Sequence, residues 1–156
     1  MYYAHSTNDI SRANWQPLLD HLNGTANLAA EFGQRIGIAR ATHLAGLLHD
    51  LGKYTPQFQA RLNGAKETVD HSTAGAAIVR QLASEGTIQD KIAAELIAYA
   101  IAGHHAGLPD KHGEGYSTLS ERLAGFSDDA LDPIWASQIA PSAFNLLPNL
   151  DWEPKD

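Results

Sequence analysis

The run Leu47-Leu48-His49-Asp50-Leu51-Gly52-Lys53 sets the tightest condition on any fold this chain adopts. It places two adjacent ionisable groups, His49 and Asp50, in an almost wholly apolar stretch, where an unpaired charge is costly to bury. The fold must therefore bring a partner to that pair. A metal ion meets the condition with the least additional structure, because His and Asp together hold hard or borderline divalent cations, which can activate water against a phosphodiester. Further imidazoles follow in one order along the chain: His21 before the pair, then His71, then His104-His105. A single inward histidine is more often a hydrogen-bonded core residue than a ligand. The whole series of His21, His49, Asp50, His71, His104 and His105 points to a metal site. His5, His43 and His112 fall outside it and read as structural or solvated.

The hydrophobic spacing is helical throughout, so the expected class is all-α, a helical bundle with the metal site in its interior. Leu18, Leu22, Ala26, Ala29 and Phe32 follow one stripe, with His21 at its edge and Gly33 and Gly37 as punctuation. A second helix is expected from about Ala41 to Leu51, apolar on nearly every side and hence central, with Gly52 placed to end it. Thr55 as N-cap and Pro56 in the first turn open a short helix through Phe58 and Leu62, and Asn63-Gly64 is a turn. Another helix begins near His71, capped by Asp70 or Ser72, with Ala74, Gly75, Ile78, Val79 and Leu82 on one face. The next, from Ile88 to about Gly103, uses Ile92, Leu96, Ala100 and Ile101 and delivers His104-His105 at its end. The candidate ligands would then lie on or beside core-facing stripes of four helices. Thr118 and Glu121 form a capping box for a short helix with Leu119 and Leu123. Pro133, Pro141, Pro148 and Pro154 break up what remains. A metal-binding core at about 15–110 is thus followed by a weakly patterned part, 111–156, expected to be loosely folded or part of something larger.

A length of 156 residues suits one domain with a genuine core, and 44% hydrophobic with 19% charged residues reads as globular. The absence of cysteine excludes disulfides and thiolate metal sites. No apolar stretch has the length of a membrane span, and Met1-Tyr2-Tyr3-Ala4-His5 does not read as a signal peptide, so a cytoplasmic protein with no membrane partner is expected. The net charge of −7, with 11 scattered Lys and Arg, predicts weak nucleic-acid binding by this chain alone. Bound cations would offset part of that charge. A histidine-rich, thiol-free donor set suits Mn, Fe, Co, Ni or Zn more than Mg. Lys53 admits two readings, a charge at a helix C-terminus or a group reaching a phosphate. Glu95 reads as a surface residue, and Trp15, Trp135 and Trp152 as core or interface.

This order of residues resembles the HD superfamily of metal-dependent phosphohydrolases, and more narrowly the HD nuclease domain of the nuclease–helicase of type I CRISPR systems. The resemblance runs from about Tyr3 to Asp110. It is carried by Tyr3-Ala4-His5-Ser6, Trp15-Gln16-Pro17-Leu18 leading to His21-Leu22, and His49-Asp50-Leu51-Gly52-Lys53 followed by Phe58-Gln59-Ala60-Arg61-Leu62. Asp70-His71-Ser72-Thr73-Ala74-Gly75 and Gly103-His104-His105-Ala106-Gly107-Leu108-Pro109-Asp110 complete it. It implies an HD-type helical bundle that cleaves single-stranded DNA with one or two divalent transition-metal ions. His21, His49 and Asp50 would hold one ion, and Asp50 would bridge to a second held by His71, His104 and His105. Asp50 and Lys53 are the implied catalytic residues, Lys53 orienting phosphate or water, with Ser72 as a partner behind the ligands.

The implied partners are the DNA strand displaced by an RNA-guided surveillance complex and a helicase region, fused or separate. The family pattern ends with another aspartate on a later helix. Asp128, Asp129, Asp132 and Asp151 lack that helical, apolar setting, so residues 1–156 are expected to form a single HD nuclease domain truncated at its C-terminus. No glycine-lysine-threonine phosphate loop is present. One alternative is an HD phosphohydrolase acting on a small nucleotide, which the scarcity of arginine near the motifs disfavours. The other is a catalytically incomplete HD module that docks onto a protein complex, which the missing aspartate favours.

Overall fold

Small residues let the first two helices meet backbone to backbone. In the computed structural model, which describes residues 1–105, 107–111 and 118–147, α1 spans Leu18–Gln34 and α2 spans Ala39–Leu48. A Cβ added to Gly46 would lie 2.8 Å from Ala26 Cα, and one on Gly33 would lie 2.1 Å from Thr42 Oγ1. These contacts pair later residues of α1 with earlier residues of α2, so the helices run antiparallel. The same register, carried to the other end, sets His21 opposite His49. Leu18, Leu22, Ala26 and Gly33 are the buried face of α1. The stripe turns to Gly33 and leaves Phe32 58% exposed, because only the glycine lets Thr42 approach.

α2 is central as expected, packed against α1 and two later helices, but it stops at Leu48 and not at Leu51. His49 closes it, and Leu51–Tyr54 form a 3-10 turn. Gly52 therefore does not end the helix. It sits in that turn, donates its N–H to His71 O at 3.1 Å, and has no room for a side chain: a Cβ would lie 2.5 Å from His71 Cα. α3, Pro56–Leu62, starts as the spacing predicts, with the Thr55 hydroxyl accepting the Phe58 N–H.

α4 spans Thr73–Leu82 and α5 spans Ile88–Gly103. α5 begins with a reciprocal capping box between Thr87 and Asp90. Thr87→Ala is expected to lower stability by about 1 kcal/mol, read as a reduced melting temperature, with the site unchanged. The bounds of α5 match the expectation, but its buried face does not. Ala93, Ala94, Ile97, Ala98, Ile101 and Ala102 are buried, while Ile92 and Leu96 are 53% and 66% exposed and Ala100 is also exposed. Four alanines on this face allow close approach to its neighbours, and Ile97 and Ile101, the latter as expected, fill it, while Ile92 and Leu96 are left outward.

α6 is Leu119–Ala124, capped by Thr118 accepting the Glu121 N–H, and α7 is Ile134–Ile139. Described residues of the weakly patterned part reach the core. Leu131, Ile139, Ala143 and Leu146 join the main core, and Asp90 Oδ1 accepts the Leu146 N–H at 3.0 Å. The expectation of a wholly helical pattern also missed a two-stranded antiparallel ribbon, β1 (Tyr3–His5) with β2 (Gln16–Pro17). Gln59 holds β1 over the 3-10 turn: its side chain accepts the Tyr3 N–H at 3.1 Å and donates to Tyr3 O at 3.0 Å and Lys53 O at 2.8 Å. Trp15 is buried and Trp135 half-buried; Ala106, His112, Pro148, Asp151, Trp152 and Pro154 lie outside the described residues. No helix among the described residues is long and apolar enough to cross a membrane.

Candidate metal centre

The expected ligands converge, though mostly not from within helices. His21 lies in the first turns of α1, His49 and Asp50 follow α2, His71 precedes α4 by two residues, and His104 and His105 follow α5. The segment before α4 is turned by Asp70, whose Oδ1 accepts the N–H groups of Ser72 and Thr73 at 2.9 and 3.2 Å. Ser72 occupies the N-cap position but makes no capping bond through its side chain. Helix ends thus present four imidazoles and the carboxylate, and only His21 is carried on a helix face.

Asp50 is the hub. Its Oδ2 lies 2.9 Å from His21 Nε2 and 3.1 Å from His49 Nε2, and its Oδ1 lies 3.4 Å from His71 Nε2 and 3.5 Å from His104 Nε2. His21 and His49 Nε2 are 3.1 Å apart, and His71 and His105 Nε2 are 2.7 Å apart. The donors fall into two sets that share Asp50, one with His21 and His49 and one with His71, His104 and His105, the ligand atoms of each within 4.8 Å of one another.

Three observations show that this donor set fits divalent cations. First, His49 Nδ1 faces Gly46 O at 2.8 Å and His104 Nδ1 faces Ile101 O at 2.6 Å. A carbonyl can only accept, so each Nδ1 carries a proton and each ring turns its Nε2 to the centre. Second, Asp50 Oδ1 is buried and has no hydrogen-bond partner, which is expensive for a carboxylate oxygen without a cation. Third, burial pushes the Asp50 carboxyl up, yet the imidazoles of His104, His21 and His49 outweigh it and hold the group below the usual carboxylate range. Burial also lowers His71, against the pull of Asp50, and lowers His105, helped by His104. For His104 the balance is reversed: the nearby Asp50 carboxylate and the Ile101 carbonyl overcome burial and raise it. An ionised Asp50 beside His71 and His105, both pushed toward the neutral form, is the ligating arrangement.

Lys53 lies in the last turn of the 3-10 helix, facing the site. It is 4% exposed, its Nζ lies 2.8 Å from Asp50 Oδ2, and it donates to Ala4 O at 3.1 Å with the Phe58 ring 5.2 Å away. Its ammonium is turned onto Asp50 and away from solvent. His5, read as outside the pattern, stands edge-on to His21 with ring centroids 5.0 Å apart. No periodicity could reveal that, because β1 is brought there by Gln59. His43 lines a separate apolar cleft with Leu44, Leu47 and Ile139. Glu95 pairs with Arg80 at 2.9 Å. Ser72 stands behind His71, donating to Asp70 Oδ1 at 3.1 Å. Asp128 lies in a 3-10 turn with Asp129, and Asp132 accepts the Tyr2 hydroxyl. None of these aspartates joins the ligand sets found among the described residues.

A groove of about 560 Å³ opens beside the cluster, lined by His5, Lys53, Phe58, Arg61, His71 and His105 among others. The buried hub, the opposed histidine sets and the adjoining groove make a centre suited to holding cations against a bound substrate. A search of the curated proteins found no match to the chain. The HD domain family model matches residues 18–133. That stretch covers most of the chain, including every candidate ligand and the helices that carry them. HD domains are generally metal-dependent hydrolases, and this chain belongs to the HD domain family.

Proposed function

We propose that this HD domain is a nuclease that hydrolyses phosphodiester bonds of single-stranded DNA in type I CRISPR interference, working in the cytoplasm with a helicase region and an RNA-guided surveillance complex. The observation that carries the hydrolytic reading is Asp50, whose carboxylate lies between two histidine sets with one buried oxygen facing His71 and His104 but making no hydrogen bond. The narrower assignment rests on the resemblance of the motifs from Tyr3 to Asp110.

Residue by residue, His21, His49 and Asp50 would hold one ion and Asp50, His71, His104 and His105 the other. When bound, divalent Mn, Fe, Co, Ni or Zn supplies an activated water and neutralises charge on the phosphate oxygens. The protein's part is to turn Nε2 of His49 and His104 toward the centre through their Nδ1–H bonds and to hold Asp50 in its ionised form. Lys53 locks the Asp50 carboxylate in place from the side of β1. The groove is open and has the exposed cation Arg61 along it, which suits a strand laid across the site. A net charge of −7 leaves most of the affinity for DNA to be supplied by the partners.

A module that docks without cutting has one observation in its favour: Asp128, Asp129 and Asp132 all lie off the cluster, leaving the set at His21 with three protein donors. The deciding experiment is cleavage of circular single-stranded DNA by metal-stripped protein, with Mn²⁺, Co²⁺ or Ni²⁺ restored. The nuclease reading predicts cutting that depends on the added metal and persists in His43→Ala. Hydrolysis of nucleoside triphosphates or cyclic dinucleotides but not of DNA would replace it with the small-nucleotide reading, and metal binding with no hydrolysis would favour the docking module.

A further inference from the structure

Arg122 is one of the 11 Lys and Arg scattered along the sequence. In the fold its guanidinium sits behind the metal centre and spans two of its supports. Nη1 donates to Ala102 O at 2.8 Å, two residues before His104. Nη2 donates to Ser72 Oγ at 2.7 Å and lies 3.3 Å from both Asp70 carboxylate oxygens, and Nε donates to Thr73 Oγ1 at 2.9 Å. One planar group therefore ties the segment that carries His71 to the end of the helix that delivers His104 and His105. Its own helix is seated by Leu119, which is 2% exposed, and by the Leu119 N–H donating to Asp110 O at 2.8 Å.

We propose that Arg122 is a positioning residue for one metal subsite only, setting the spacing of His71 against His104 and His105 while leaving the His21–His49 pair untouched. The selectivity follows from what holds each set. His21 and His49 are placed by the antiparallel register of α1 on α2, where Gly46 meets Ala26 and Gly33 meets Thr42. Arg122 touches neither helix in any of its hydrogen bonds. His71, in contrast, lies in a non-helical segment whose turn is made by Asp70, the anion that Arg122 holds. Arg122 Nη2 pairs with the Asp70 carboxylate at 3.3 Å, and the same carboxylate accepts the Thr73 hydroxyl and the Ser72 and Thr73 N–H groups. Lysine cannot replace it: the acceptors at Ala102, Ser72, Asp70 and Thr73 diverge in the pattern of a guanidinium fork, and an ammonium reaches only part of them.

The inference rests on the two-ion reading of the site, and its test separates the two. Metal-stripped protein is titrated with Co²⁺ alone, and binding at each step is followed by calorimetry and by the histidine ring resonances. Wild-type protein is expected to take two ions. In Arg122→Met, affinity for the ion at His71, His104 and His105 should fall about 10- to 100-fold, as for loss of a group that orients ligands. The ion at His21 and His49 should bind within about twofold of wild type, which also reports that the variant is folded. Arg122→Lys should recover little of the loss. Asp70→Asn, which removes the anion but no arginine contact to Ala102, should reproduce it in part and serves if Arg122→Met does not fold. Equal loss at both subsites, or no loss at either, overturns the proposal. A wild-type protein that binds a single ion overturns the two-ion reading, and the proposal falls with it.

Discussion

Asp50→Ala should abolish metal-dependent hydrolysis and also destabilise the fold, because two buried groups lose their partner at once. The ligand sets share only this residue, so both lose a donor together. A loss of at least ~10³ in rate, about 4 kcal/mol in the barrier, is expected for removal of the residue that anchors the ions. The stability effect has a separate origin in Lys53, whose ammonium is 4% exposed and bonded to Asp50 Oδ2 at 2.8 Å. Removing one member of a buried pair strands the other, at a cost of about 3–5 kcal/mol. Thermal melting of the metal-free proteins measures this part alone. The double variant Asp50→Asn with Lys53→Met should melt nearer to wild type than Asp50→Ala does, yet still bind no metal. A double variant that melts as low as Asp50→Ala would show that the buried charge is not the origin of the loss.

Gly52→Ala is the second large effect, and it arises from space alone. The added Cβ would fall 2.5 Å from His71 Cα and 2.5 Å from His71 O. Both are backbone atoms, so no rotamer change relieves the clash. The His71 segment must move, and the Gly52 N–H bond to His71 O at 3.1 Å is strained or broken. Overpacking of this kind costs about 1–3 kcal/mol. A displacement near 1 Å at a ligand should lower activity roughly 10²-fold. Gly24→Ala is the control: nothing lies within 4 Å of a Cβ there, and its melting temperature should match or exceed that of wild type. A Gly52→Ala protein with wild-type metal affinity would mean that the contact between the two ligand-bearing segments is not what sets His71.

Much of this centre was legible from residue types alone. A histidine-aspartate pair inside an apolar run has few satisfactory environments, which points to a metal, while the sharing of Asp50 between two histidine sets follows only from the family resemblance. Helix starts were legible where a side chain caps them, as with Thr55 and Thr118, whose hydroxyls accept the Phe58 and Glu121 N–H groups. Other features depend on packing that no local pattern encodes. The spacing of α5 permits either the face with Ile92 and Leu96 or the face with Ala93, Ala94, Ile97 and Ala98 inward, and close approach to its neighbours selects the second. The end of α2 shifted from Leu51 to Leu48 because His49 and Asp50 are drawn into the site and Gly52 onto His71. Arg122 and Asp70 are 52 positions apart, and no periodicity links them. The segment to Leu147 looked unpatterned because prolines interrupt it, but its burial comes from individual anchors such as the Leu146 N–H on Asp90.

The most direct test of the central claim is anomalous scattering from crystals of this domain soaked with Mn²⁺. A shared Asp50 predicts two peaks flanking its carboxylate, one among His21 and His49 and one among His71, His104 and His105. No peak at Asp50, or peaks confined to surface carboxylates, would contradict the assignment of this cluster as the metal centre.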